Sequence, residues 1–236
     1  MDSPLPPLPA APPRPLDLRG AAGLILFYFA LQLTVGFVAN VAAGVGVALG
    51  HGSPDLLASD NALRSGLAIV VVTGAALPTL WLAHRMWPAL WRQARPPGLG
   101  FVRPANLAYL TLAIAFGFVL PLAAGRLTEL LAHGHAVPQD VKQLGAAADT
   151  AWRTALAVVV VTLGPITEEL LFRGLLLSAL LRRMRPFAAV LVSALVFAAA
   201  HLPDLHWLWY GVPNLALLGI AFAWLRLRSG SLWPAI

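Results

Sequence analysis

Six stretches of this chain run nearly free of charge for about the length of a bilayer crossing, and polar punctuation separates them. They cover residues 20–49, 63–83, 106–132, 152–181, 187–202 and 207–225, and a seventh opens at 231 and reaches 236. Each reads as a helix that is apolar all round, the pattern of an element enclosed in protein or in lipid. A helix crosses the hydrocarbon core in about 20 apolar residues, so the stretches match spans in length. Asp60 and Asn61 stand where a cap belongs before the second, and Pro121 predicts a kink in the third. The fourth is interrupted by Gly164-Pro165 and by Glu168-Glu169. Residues 152–163 alone would make only about 18 Å of helix, too short to span, so 152–181 reads as one kinked helix.

Composition settles the class. The 236 residues are 59% hydrophobic and 11% charged, with a mean hydropathy of +0.77. A soluble domain is nearer half apolar and a quarter charged. The expected fold is therefore all-α, a polytopic transmembrane bundle of six full spans and the start of a seventh. Residues 1–19 hold seven prolines and no apolar period, which predicts a disordered, polyproline-like cytosolic tail. The membrane domain is then 20–236. Zero Cys excludes disulfides, thiolate metal sites and a Cys nucleophile.

The net charge of +6 does not point to nucleic acid, because the charges sort by side. With the N-terminus inside, eleven of the sixteen basic residues fall in cytosolic segments: Arg14, Arg19, Arg85, Arg92, Arg95, Arg103, Arg182, Arg183, Arg185, Arg226 and Arg228. Most of the acids fall on the other side. This is positive-inside sorting, and it predicts a multi-pass protein of the cell membrane with lipid as its surroundings. Arg outnumbers Lys fifteen to one, the usage of a GC-rich bacterial genome. Gly44-Val45-Gly46 with Gly50 suits close helix packing, not a dinucleotide loop.

Ionisable groups at bilayer depth need a reason, since each costs about 2.5–3.5 kcal/mol to insert. Glu168, Glu169 and Arg173 share the string GPITEELLFRG. Glu169 and Arg173 are four apart with the acid first, the favourable order for a helical ion pair. Glu168 is left without a local partner. His201 closes the next stretch, as far after Phe187 as Glu168 lies before Arg182. In an antiparallel hairpin both sit about 21 Å from the Arg-rich turn, at one depth. A carboxylate and an imidazole so placed can activate water, or with a third donor hold a divalent metal such as zinc. The cofactor stays open between those two schemes. His206 falls near an outer aromatic belt of Trp207, Trp209 and Tyr210, while His133 and His135 read as loop residues. Asn214 sits deeper, where hydrogen bonding between helices is its first role.

These residues also carry a resemblance. Glu168-Glu169-x-x-x-Arg173, followed about 24 residues on by Phe197-x-x-x-His201, resembles the first two motifs of the type II CAAX endopeptidases, the CPBP group of intramembrane proteases. The resemblance covers 152–236. It implies an endopeptidase that cuts near the C-terminus of a membrane-associated protein or peptide. Glu168 would activate water with His201 as partner, and Glu169 and Arg173 would support them. Phe197 and Asn214 would line the substrate, and Glu168 and His201 would be the ligands of any metal. The family's further His-x-x-x-Asn motif would follow residue 236, so a truncated chain of impaired activity is expected. Two rival functions use the same residues: a non-catalytic binding or immunity protein, and a proton-coupled transporter. Against transport, no second half repeats the broken helix.

Overall fold

The caps and breakers of the sequence set the helix ends. The computed structural model describes residues 15–53, 55–135 and 149–236, which leaves most of the Pro-rich tail and the 136–148 loop outside the described residues. Helix α1 is Leu18–Leu49, begun by Asp17, whose carboxylate accepts from the Gly20 amide at 2.8 Å. A short α2, Leu56–Ser59, leads to α3, Asn61–Met86. Asp60 caps α3 by accepting from the Ala62 and Leu63 amides, as the sequence suggests. Helix α4 is Ala108–Ala132 and contains Pro121. Helix α5, Thr150–Leu181, is a single element capped by Asp149. Helices α6, Pro186–Ala200, and α7, Val212–Ser229, complete the bundle, and the described residues contain no strand.

The fold is the expected all-helical membrane bundle, with two corrections in its spans. Five helices are long and apolar enough to cross: α1, α3, α4, α5 and α7 with the turn before it. The stretch predicted over 187–202 is a helix of only 15 residues, about 22 Å. It stops because Pro203 follows and because His206 and Trp207 take positive φ, turning the chain back. The predicted seventh helix is a single turn: Gly230, at φ +68°, ends α7, and Ser231 and Leu232 bond to the 98–102 loop.

Helix α5 is the hub. It packs on α1, α3, α6 and α7, with α6 against α7 and α4 outside α7. Gly219 of α7 makes the α6 contact close; a Cβ there would stand 2.9 Å from the Ala194 Cα. Outward, Leu33, Phe37, Phe118, Leu122 and Phe187 are each more than 70% exposed. In water such a belt would drive aggregation; in a bilayer it is the lipid-facing surface.

The basic ends gather at one end of the bundle. Arg182, at the end of α5, donates to the Leu16 carbonyl at 2.5 Å. Arg226, counted above among the basic residues of the cytosolic side, is fully buried. It donates to the Ala94 and Gly98 carbonyls at 2.7 Å each, pinning the 90–103 loop to α7. Gly100 permits this at φ +80°, and a Cβ there would lie 2.6 Å from the Arg226 guanidinium carbon. Trp91 stacks on Phe101, whose edge meets Trp233, and seals that end.

Candidate active site

The hairpin of α5 and α6 does bring Glu168 and His201 together. The Glu168 Oε2 and His201 Nε2 lie 3.8 Å apart, with about a third of the Glu168 side chain and a fifth of the His201 ring exposed. That gap exceeds a direct hydrogen bond. A water about 2.8 Å from each would see them roughly 85° apart, near the spread of its own two O–H bonds. His201 caps the end of α6, where its Nδ1 faces the Phe197 carbonyl at 2.9 Å. A carbonyl only accepts, so Nδ1 carries the proton there and Nε2 turns its lone pair toward Glu168 in the neutral ring. Two acceptors facing one gap suit a water that donates to both.

Glu169 points the other way, into the protein. Its Oε1 is 2.7 Å from Nη1 of Arg173, and both side chains are buried. The contact is off the axis of a hydrogen bond, so no guanidinium nitrogen, nor the Glu169 Oε2, has a hydrogen-bond partner. Arg173 instead lies over the Phe197 ring, 4.1 Å from its centre, with Phe222 at 5.5 Å. Phe197 in turn packs edge-on to Phe172 and 4.5 Å, centre to centre, from the His201 ring. A stack therefore runs from the ion pair through Phe197 to the imidazole. Phe197 is 5% exposed, and its contacts are with the site's own side chains.

Immediately after Glu169 the helix widens. Leu170–Leu176 is π-helical, and all seven residues are buried. Such insertions are rare in helices and cluster at functional sites. Ser193 of α6 donates to the Phe172 carbonyl inside this segment at 3.0 Å. Arg173 marks this stretch as unusual, but nothing in LLFRGLL specifies a widened helix.

Asn214 is half-buried in the first turn of α7, and its Oδ1 has no hydrogen-bond partner. His206 lies in the turn after α6, at φ +50°. His133 ends α4, and His135 follows it. For a metal, Glu168 and His201 supply two donors, whereas a catalytic zinc uses three protein ligands. Among the described residues no group of three or more His, Cys, Asp or Glu clusters. Among the described residues, then, Glu168 and His201 lack the third donor that a catalytic zinc would need.

Two comparisons with known proteins point to a membrane peptidase. Residues 150–236 match the family described as type II CAAX prenyl endopeptidase Rce1-like. A Bacillus subtilis (strain 168) protein named "Putative membrane peptidase YdiL" is 27% identical over 125 residues, covering 52% of this chain and 49% of that protein. The chain thus spans about half the length of that relative. No solved structure matches.

Proposed function

We propose that this chain is an intramembrane endopeptidase using Glu168 and His201, a reading supported by the match of residues 150–236 to the Rce1-like type II CAAX prenyl endopeptidases. Its substrate is a membrane-associated protein or peptide, cut near its C-terminus. The observation that carries the reading is the 3.8 Å gap between the partly exposed Glu168 and His201, backed by a buried stack.

The reaction follows from that gap. A water held between the two acceptors turns its oxygen lone pairs outward, toward an incoming carbonyl. As its oxygen bonds to the carbonyl carbon, Glu168 takes its proton as general base, and the carbonyl π electrons move onto the carbonyl oxygen. The intermediate collapses by reforming C=O and breaking C–N, and the proton on Glu168 passes to the leaving nitrogen. A carboxylic acid and an amine result. Phe197, fixed by Arg173 and Phe172, holds the imidazole plane in place through these steps.

Glu168→Gln keeps the shape and removes the base; His201→Ala removes one wall of the gap. Each should abolish cleavage of apolar-tailed peptides by the purified protein, followed by mass spectrometry, while leaving helical content unchanged. Cleavage retained by both variants would end the proposal. The basic end of the bundle, holding Arg182 and the 90–103 loop, is proposed to face the cytosol, as positive-inside sorting requires.

A further inference from the structure

Helix α1 lies outside the matched segment, yet it sets a polar pair beside Glu168. The first observation is register. Because Arg182 bonds to the Leu16 carbonyl, the start of α1 is level with the end of α5. Tyr28, twelve residues along α1, is about 18 Å from that level, and Glu168, fourteen residues back along α5, is about 21 Å from it. They share a depth. The second is packing: Ala21, Leu24, Ile25 and Tyr28 form the buried stripe of α1, and α1 packs on the π-helical segment that follows Glu169. The third is polar surroundings. The Tyr28 phenol lies beside Gln32, one turn on, and within electrostatic reach of Glu168 and Asp204. At the same level a cavity of about 360 Å³ opens between α1 and the end of α6, lined by Phe29, Gln32, Ala200, Asp204 and Trp207. Ala200 is the residue before His201.

We propose that the Tyr28 hydroxyl, held by Gln32, is a further catalytic residue of this site: it donates a hydrogen bond to the scissile carbonyl oxygen as that oxygen becomes an oxyanion. The inference rests on the endopeptidase reading above. A buried phenol needs a use for its O–H. With the Gln32 amide as donor, the phenol's own proton is left for a separate acceptor. When Glu168 takes the water's proton its negative charge disappears, and a new one grows on the carbonyl oxygen. A donor within reach of both follows the charge, and in a water-poor site it stabilises the transition state more than the ground state.

The test uses the full chain in detergent micelles, with apolar-tailed peptides, prenylated and unprenylated, as probes. Tyr28→Phe leaves every packed ring atom in place. It should lower kcat on the best-cleaved peptide by about 10²- to 10³-fold, the loss usual for one oxyanion donor, with KM within about twofold. A peptide aldehyde, whose hydrate mimics the tetrahedral intermediate, should bind more weakly by a similar factor. Gln32→Leu should give a smaller loss in the same direction. Tyr28→Phe with wild-type kcat beside an inactive Glu168→Gln overturns this inference and leaves the endopeptidase standing. A rise in KM alone overturns it too, making Tyr28 a binding residue. A wild type that cuts none of the peptides takes down both.

Discussion

The Glu169–Arg173 pair allows the strongest energetic prediction. Both side chains are buried, the contact is 2.7 Å, and neither partner has an aligned hydrogen bond. Removing one member of such a pair strands a charge, which costs about 3–5 kcal/mol, or about two to three and a half decades in the folding equilibrium. Insertion scales give a similar figure, about 2.5–3.5 kcal/mol for a charge at a helix centre. The two single variants should not be equal. A stranded carboxyl can take up a proton, whereas a stranded guanidinium cannot give one up. Glu169→Leu should therefore cost more than Arg173→Met. Because the pair is poorly bonded, replacing both with apolar residues should cost no more than about 1 kcal/mol.

The assay is reversible unfolding of the purified protein in mixed micelles of rising SDS content, followed by helical ellipticity. The double-mutant cycle reads the coupling directly. Single variants within about 1 kcal/mol of wild type would refute the reasoning. So would a double variant whose loss equals the sum of the singles. Either result would mean that water or lipid headgroups reach the pair, and that the stack on Phe197 does not rest on a sealed charge.

Two further predictions address what supports the site. Ser193→Ala deletes the bond to the Phe172 carbonyl inside the π-helical segment; it should cost about 1 kcal/mol in the same unfolding assay and lower peptide cleavage, with unchanged stability as the contrary result. Gly100→Ala forces a side chain into positive φ against the Arg226 guanidinium, and the strain of about 1–3 kcal/mol, with loss of the bonds to Ala94 and Gly98, should open the 90–103 loop to proteolysis at its basic end; a loop as protease-resistant as wild type would count against Arg226 as its anchor.

How far the sequence could be read depends on what each feature needs. The Glu168–His201 pairing was legible because helical rise is constant: equal residue counts from a shared turn give equal depth, whatever surrounds them. Asp60 was legible because a cap is a local bond. The anchoring role of Arg226 was not legible because its partners are main-chain carbonyls 128 and 132 residues away, and no side-chain pattern announces a carbonyl. Tyr28 passed unnoticed for the opposite reason: one phenol in an apolar helix is ordinary until another helix fixes its register.

The largest gap lies in hydropathy itself. Along α5, Val158 and Val161 are more than half exposed, while Leu170, Leu171, Leu175 and Leu177 are completely buried. Both sets are apolar, and insertion into a membrane selects for both alike, since lipid tails and side chains are equally good neighbours. The apolar pattern therefore tells which segments enter the membrane but not which faces meet protein. Only departures from it carry positional information, and in α5 Glu168, Glu169 and Arg173 cluster at the entry to the π-helical segment and within it. There the helix passes from a face open to lipid into the core of the bundle. A carboxylate at that boundary, partly exposed and followed by a buried ion pair, is where the proposed endopeptidase would meet its peptide.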